Sequence, residues 1–485
     1  MVLTVPAVVR GELVDGPLLE FGGRGAKPFA APDPAAVVPR LAARDLDLAR
    51  ALNALDLDEV LDYLAELGQR LDPDSNPHLA EAVAESEGLA DVPPQLVRSN
   101  YRLLAALFTR AATEEVVAAV GRDHLTGWPA RRTADGRVGA VHAFGVRSVH
   151  VIAGNSPLIA AMTLVRTAIT RGEAVVKTPS NDPLTMVALA RTMAEVAPDH
   201  PLTRALSVAY WKGGDTGVER RLYHPGAFDK IVAWGGMASV RHVVGYLAPG
   251  LELVTFDPKQ SATILGPEAF HPDAVDDVAR RLALDVGAFN QVGCVNARVV
   301  YAACGTGPAG VAAAEDLARR VHAHLALLPP EVSTPAPLDP ELRAKLRAVR
   351  TSGFHTVVGG TGDEGAVVVS QLDEPVDFAV SLAGRVANVV PVDSAADAAR
   401  HLDAATQTVG VYPASLRREL REVLPLVGVQ RTVELGCAVS VHQALPQDGF
   451  EPVRRMVRWA TDEHLPEGAD PLDVVFPPHR QGVTA

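Results

Sequence analysis

The chain has 485 residues, 48% of them apolar and 21% charged, which suits a globular protein of about two to four structural units. Its 45 basic and 58 acidic residues leave a net charge of −13, which argues against a general nucleic-acid or anionic-membrane binder. Three cysteines with no metal spacing exclude a disulfide framework and point to a reducing, cytoplasmic setting. The first ten residues lack the basic start and long apolar run of a signal peptide. No membrane span is expected either, because the longest uncharged run, 148–165, is broken by Gly154-Asn-Ser-Pro157.

Residues 34 to about 125 are patterned as helices, with Leu48, Leu52, Leu55, Val60, Leu61 and Leu64 recurring among charged residues. A hairpin follows, with Asp135-Gly136 as its turn between 131–133 and 138–144. From Ser148 the pattern changes to short β-branched runs at 149–153, 174–177, 205–211, 230–234 and 251–256. Helical stretches at 158–170, 184–196, 218–223 and 238–247 separate them, which predicts a doubly wound parallel sheet. A second α/β unit begins near Gln260. Its clearest helix starts near Asp273 and carries Val275, Val278, Leu282, Val286 and Phe289 on one face. A strand at 297–303, a helix at 309–327 and a Pro-rich connector at 329–340 follow it.

Four segments carry residues suited to chemistry. In Val151-Ile-Ala-Gly-Asn-Ser-Pro-Leu158, Ser156 and Pro157 open a helix and leave Asn155 at a strand end. An amide there can stabilise an oxyanion, or simply bond its own turn. Lys177 is one of six lysines and ends a buried strand, where a nucleotide ribose or phosphate would give its charge a partner. Ser180 is a neutral donor nearby, and no carboxylate follows before Asp182, which leans toward NADP. Gly235 and Gly236 separate a strand from a helix and would let a phosphate approach backbone N–H groups. The loop Phe289-Asn-Gln-Val-Gly-Cys294 exposes a cysteine that is a good nucleophile if its pKa is depressed. Cys304 and Cys437 are expected to be buried, inert thiols.

Taken in order, these segments resemble the aldehyde dehydrogenase superfamily, and within it the LuxC-type acyl-CoA reductases of bacterial luminescence. Phe256-Asp-Pro-Lys-Gln-Ser-Ala-Thr-Ile264, Leu445-Pro-Gln-Asp-Gly449 and Val457-Arg-Trp459 extend the likeness to roughly 130–465. It implies an aldehyde-dehydrogenase-like α/β fold in four parts. These are a helical N-terminal region (1–125), an NADP-binding domain (126–258), a catalytic domain (259–430) and a C-terminal segment (431–485) returning to the cofactor domain or an oligomer interface. Cys294 becomes the nucleophile, Asn155 the oxyanion-hole amide, Lys177 and Ser180 the ribose contacts, and Gly235 and Gly236 the pyrophosphate turn. NADPH would reduce an acyl-CoA or acyl-carrier thioester to an aldehyde, in a homo-oligomer that can work beside an acyl-transferring protein. Thr255 stands where aldehyde-oxidising members carry a general-base Glu, so thioester reduction is favoured over hydrolytic aldehyde oxidation. Gln447 and Val292 also depart from the luminescence pattern of His-Asp-Gly and a second Gln. With Asp257 close by, a hydrolytic NAD(P)-dependent aldehyde dehydrogenase is the first alternative, and a catalytically silent acyl-transfer scaffold the second.

Overall fold

The computed structural model describes residues 2–22, 28–87, 92–134, 137–465 and 467–472. Two seven-stranded sheets organise it. The first runs, edge to edge, through Glu252–Phe256, Lys230–Trp234, Arg147–Val151, Glu173–Lys177, Leu206–Ala209, Ala7–Val9 and Glu12–Val14. The first five of these strands are parallel, and the last two join antiparallel. The strand order reverses beside Arg147–Val151, so the crevice at its carboxyl end is the ligand position of a doubly wound sheet.

The second sheet runs through His355–Gly359, Ala366–Ser370, Val386–Pro391, Ala297–Ala302, Gln260–Leu265, Thr406–Tyr412 and Arg431–Glu434. It is parallel except at its first pair. The helices Val275–Gly287 and Pro308–Ala326 cover one face, where Val278, Leu282, Val286, Leu317 and Val321 are buried. A third sheet pairs Val457–His464 with Val138–Gly145 and that strand with Ala130–Arg132. The Asp135-Gly136 turn of this hairpin lies outside the described residues.

Three expectations about organisation need correction. The first 125 residues are not helical throughout: five short strands precede the helices, and two of them extend the first sheet. The break expected after 430 falls one residue before Arg431–Glu434, an edge strand of the second sheet, whose half-buried pattern hides it in the sequence. The face of Val275–Gly287 stops before Phe289, because the chain turns left-handed there.

The N-terminal helices are fastened to the first sheet by a buried cation. Arg171 follows the helix Leu158–Ile169 and donates to the carbonyls of Asn53 (3.2 Å), Leu55 (3.0 Å) and Leu125. Its burial lowers the guanidinium pKa, so its hydrogen bonds must offset a desolvation cost. Replacing Arg171 with Met keeps the length and removes the donors from three carbonyls. A loss of about 2–4 kcal/mol is expected. Urea unfolding should show it as a lower midpoint at unchanged slope, and an unmoved midpoint would show that the bonds contribute nothing net.

Candidate active site

The cysteine loop is built on an unfavourable backbone. Phe289 (φ 52°), Asn290 (φ 53°) and Gln291 (φ 64°) are three successive left-handed residues, none of them glycine. Side-chain amides hold them there. Asn290 Nδ2 donates to Thr334 O at 2.7 Å, and its Oδ1 accepts from Thr334 N at 2.9 Å. Gln291 reaches across the second sheet, donating to Ala297 O (2.9 Å) and Val386 O (2.8 Å) and accepting from Val386 N (2.8 Å). Asn296 accepts from Gly293 N (3.1 Å) and donates to Asp285 O (3.1 Å) and Ala288 O (3.0 Å). Between these clamps sits Cys294, whose carbonyl accepts from Ser261 Oγ at 2.7 Å.

The thiol is less accessible than its Gly-Cys loop suggests. Cys294 is half-buried, and burial pushes its thiol up, with the charge of Asp448 adding to the rise. The Gln407 amide and the Arg298 guanidinium pull the other way without cancelling it. A depressed resting pKa is therefore not what this site provides. Cys304 is half-buried, with its thiol pushed up to about 11 by burial. Cys437, expected to be buried, is exposed, because it lies in the turn after the edge strand Arg431–Glu434.

Cys294 and Asn155 line one cavity of about 500 Å³. Leu158, Ile159 and Met162 from one helix and Val439, Val441 and Leu445 from the C-terminal stretch give it an apolar wall. Asn155 Nδ2 donates to Val292 O at 3.3 Å, a long bond that places the amide beside the cysteine loop. The C-terminal wall is anchored on Arg166, a fully buried guanidinium that donates to Gln447 Oε1 (3.1 Å) and Gln443 O (3.3 Å). Gln407, Asp448 and the clamps Gln291 and Asn296 were not legible as site residues. The available signal was an amide, Gln407, in the buried strand Thr406–Tyr412. His442, also on the cavity wall, pairs with Glu115 at 2.8 Å.

Lys177, Ser180, Gly235 and Gly236 lie at or just beyond the carboxyl ends of the two strands that flank Arg147–Val151 in the first sheet, off the wall that Cys294 shares. The Lys177 ammonium sits 5.4 Å from the Tyr210 ring centroid and 5.9 Å from that of Trp211. Gly235 has φ +154°, and a Cβ on Gly236 would meet nothing within 4 Å, so the N-terminus of Met237–Val244 is open to an approaching group. Gly154 has no such room: a Cβ would come 2.3 Å from Asn181 Oδ1. Asp182 is buried, and its carboxylate is turned onto Thr185 Oγ1 (2.6 Å) and Thr185 N (3.2 Å). Open glycines, a strand-end ammonium and no outward carboxylate at Asp182 fit a phosphate-bearing dinucleotide. Among the described residues, no three His, Cys, Asp or Glu side chains could hold a metal, and no helix is long and apolar enough to cross a membrane.

The profile of the acyl-CoA reductase (LuxC) family matches residues 52–459. The chain belongs to that family. It is 24% identical over 421 residues to the long-chain acyl-protein thioester reductase of Vibrio harveyi, covering 85% of this chain and 84% of that protein. The protein of the same description from Aliivibrio fischeri is 27% identical over 420 residues, covering 84% and 83%. Solved aldehyde dehydrogenases share the fold. The NADP-dependent glyceraldehyde-3-phosphate dehydrogenase of Bacillus halodurans, complexed with NADP, superposes with a TM-score of 0.72 at 13% identity, covering 96% of this chain and 99% of that one. An aldehyde dehydrogenase of Mycobacterium tuberculosis complexed with NAD+ gives 0.68 at 17% identity, covering 97% and 100%. This LuxC-family chain is thus an oxidoreductase with the aldehyde dehydrogenase fold.

The raised thiol has a direct consequence for labelling. In the free enzyme at neutral pH, iodoacetamide should modify exposed Cys437 before Cys294. Modification of Cys294 should then rise about tenfold per pH unit into the alkaline range as thiolate forms. Peptide mass mapping over a pH series checks this, and rapid pH-independent labelling of Cys294 would show a thiolate already present at rest.

Proposed function

We propose that this LuxC-family chain is an NADPH-dependent reductase of long-chain acyl thioesters, releasing an aldehyde by way of a thioacyl bond to Cys294. The observation that carries the reading is the cavity: the cysteine and the Asn155 amide share it, and its wall is apolar enough for an alkyl chain. The family and its long-chain relatives support the same substrate class. On this reading, 126–258 holds the cofactor, 259–430 supplies the nucleophile, and the segment after 430 closes the acyl cavity.

Cys294 Sγ attacks the thioester carbonyl, and the oxyanion that forms is met by Asn155 Nδ2 and the Cys294 backbone N–H. Asn155 can turn to it because its bond to Val292 O is long and easily exchanged. The thioester sulfur departs and leaves the acyl group on Cys294. Lys177, Ser180, Gly235 and Gly236 would hold NADPH, which when bound supplies the hydride that reduces the acyl carbon. Cleavage of the Cys294–carbon bond then frees the aldehyde and returns the sulfur. The apolar wall excludes water during this sequence, and Thr255 brings no carboxylate where hydrolytic members have one. Asp257, the other acid near that position, is off the cavity wall.

The test is NADPH oxidation across acyl-CoAs from short to long chain, with the aldehyde identified. Activity should rise with chain length and vanish in Cys294→Ala. Asn155→Ala should lower kcat by roughly 10²–10³. Turnover of aldehyde with NADP and no thiol, with no thioester reduced, would overturn the reading in favour of a hydrolytic dehydrogenase. Lys177→Ala should raise KM for NADPH about ten- to a hundredfold more than for NADH, with kcat less affected. Equal losses would show that Lys177 does not read the 2′-phosphate.

A further inference from the structure

The acyl-transfer chemistry above leaves a proton without a carrier. The thiol of Cys294 is held above its ordinary range, so at neutral pH the attacking sulfur must lose a proton as it bonds to carbon. Among the described residues, Asp448 is the one carboxylate on the wall of the cavity that Cys294 lines. Its placement is specified from several directions. Its backbone is left-handed (φ 53°), and the preceding residue, Gln447, is tied to buried Arg166. Gln407 Nε2 donates to Asp448 Oδ1 at 2.5 Å, and Gln407 lines the same cavity as Cys294. Among the described residues, Oδ2 accepts no hydrogen bond, and neither does the buried Gln407 Oε1. The charged groups facing Asp448 are Lys259 and Arg166, which favour its anion, and Asp257, which opposes it. Burial outweighs them and pushes the carboxyl up, toward the pH range where a carboxylate exchanges protons with a thiol more readily.

We propose that Asp448 is the acid–base group of the acyl-transfer step, a catalytic residue that takes and returns the Cys294 proton. As Sγ bonds to the thioester carbon, its proton passes to the Asp448 carboxylate. As the substrate's own carbon–sulfur bond breaks, Asp448 gives that proton to the departing thiolate. One carbon–sulfur bond forms, one breaks, and no proton is gained or lost overall. This inference rests on the thioester reading of the cavity, and it assigns the proton that this reading leaves unassigned.

Asp448→Asn keeps an acceptor oxygen for Gln407, and Asn adopts left-handed backbone as readily as Asp, so the loop is retained. With a long-chain acyl-CoA and no NADPH, the CoA released in one turnover reads acylation alone. Asp448→Asn should slow that release by about a hundredfold or more and lose the acid limb of its pH profile, whereas Asp448→Glu should keep a limb. Alkylation of Cys294 by iodoacetamide should move the opposite way and speed up in Asp448→Asn, because a negative charge that disfavours the thiolate has gone. A merely structural role moves both reactions together. CoA release within about threefold of wild type with an unchanged pH profile overturns the proposal. So does a parallel loss of acylation and alkylation in both variants. If the wild type itself releases no CoA, the thioester reading fails, and this inference falls with it for that separate reason.

Discussion

A left-handed turn of three ordinary residues is held open so that one sulfur can face a cavity. Phe289, Asn290 and Gln291 each occupy backbone that costs an L-residue roughly 1–3 kcal/mol. The turn persists because Asn290, Gln291 and Asn296 spend their amides on backbone groups of three other segments: Thr334, Val386 with Ala297, and the end of Val275–Gly287. Remove any one amide and a buried carbonyl or N–H loses its partner while the strain remains. The position of Cys294 is thus fixed by bonds to other segments, and the run Asn-Gln-Val-Gly-Cys-Val-Asn has a mechanical meaning beyond the proposed nucleophile it contains.

The same burial that fixes the loop sets its chemistry. A half-dry cavity raises the Cys294 thiol, the Asp448 carboxyl and the cost of every unpaired charge. It also strengthens each interaction with a charge that develops during reaction. Arg166 shows how far the fold accepts that cost. It is fully buried, its guanidinium is pulled down to about 10, and its Nε and Nη1 find no hydrogen-bond partner among the described residues. Its Nη2 holds the C-terminal wall in place through Gln443 and Gln447. A structural cation on the helix Leu158–Ile169 and a strained turn after the helix Val275–Gly287 are two supports of one site.

What the sequence made legible is what local pattern controls. Lys230–Trp234, a lysine followed by four apolar residues, is readable to the residue, and Leu158–Ile169 announces itself by Ser156, Pro157 and a helical face. Cys294 and Asn155, placed on separate loops, do come to one cavity. The strands Ala7–Val9 and Glu12–Val14 escaped notice because three residues carry no period, and the pairing of Ala7–Val9 with Leu206–Ala209 spans almost two hundred positions. Cys437 misled for the opposite reason: its apolar neighbours suggest a core, but an edge-strand turn leaves it in solvent. Gln407 and Asp448 are joined by a bond across 41 residues; Asp448 stands in the Leu445–Gly449 motif, but nothing local ties it to Gln407 or to the cavity. Burial, which decides the direction of every pKa at this site, is a property of the assembled sheets.

A carboxylate in the cavity raises the question of why a thioester bound to Cys294 should not simply be hydrolysed, since a base for a thiol is also a base for water. The two tasks differ in magnitude. A thiol loses its proton near pH 8.5 and bulk water near 15.7, a gap of about seven pKa units or roughly 10 kcal/mol of proton affinity. A carboxylate pushed up by burial is closer to the first task and far from the second unless water is held against the acyl carbon. Here one side of the cavity wall is valine, leucine, isoleucine and methionine, and on the proposed reading Thr255 stands where hydrolytic members carry a water-activating glutamate. The Asp448 oxygen nearest Gln407 is already bonded to that amide. On the proposed reading the site separates proton exchange at sulfur from attack by water, and the acyl group would stay on Cys294 long enough to be reduced.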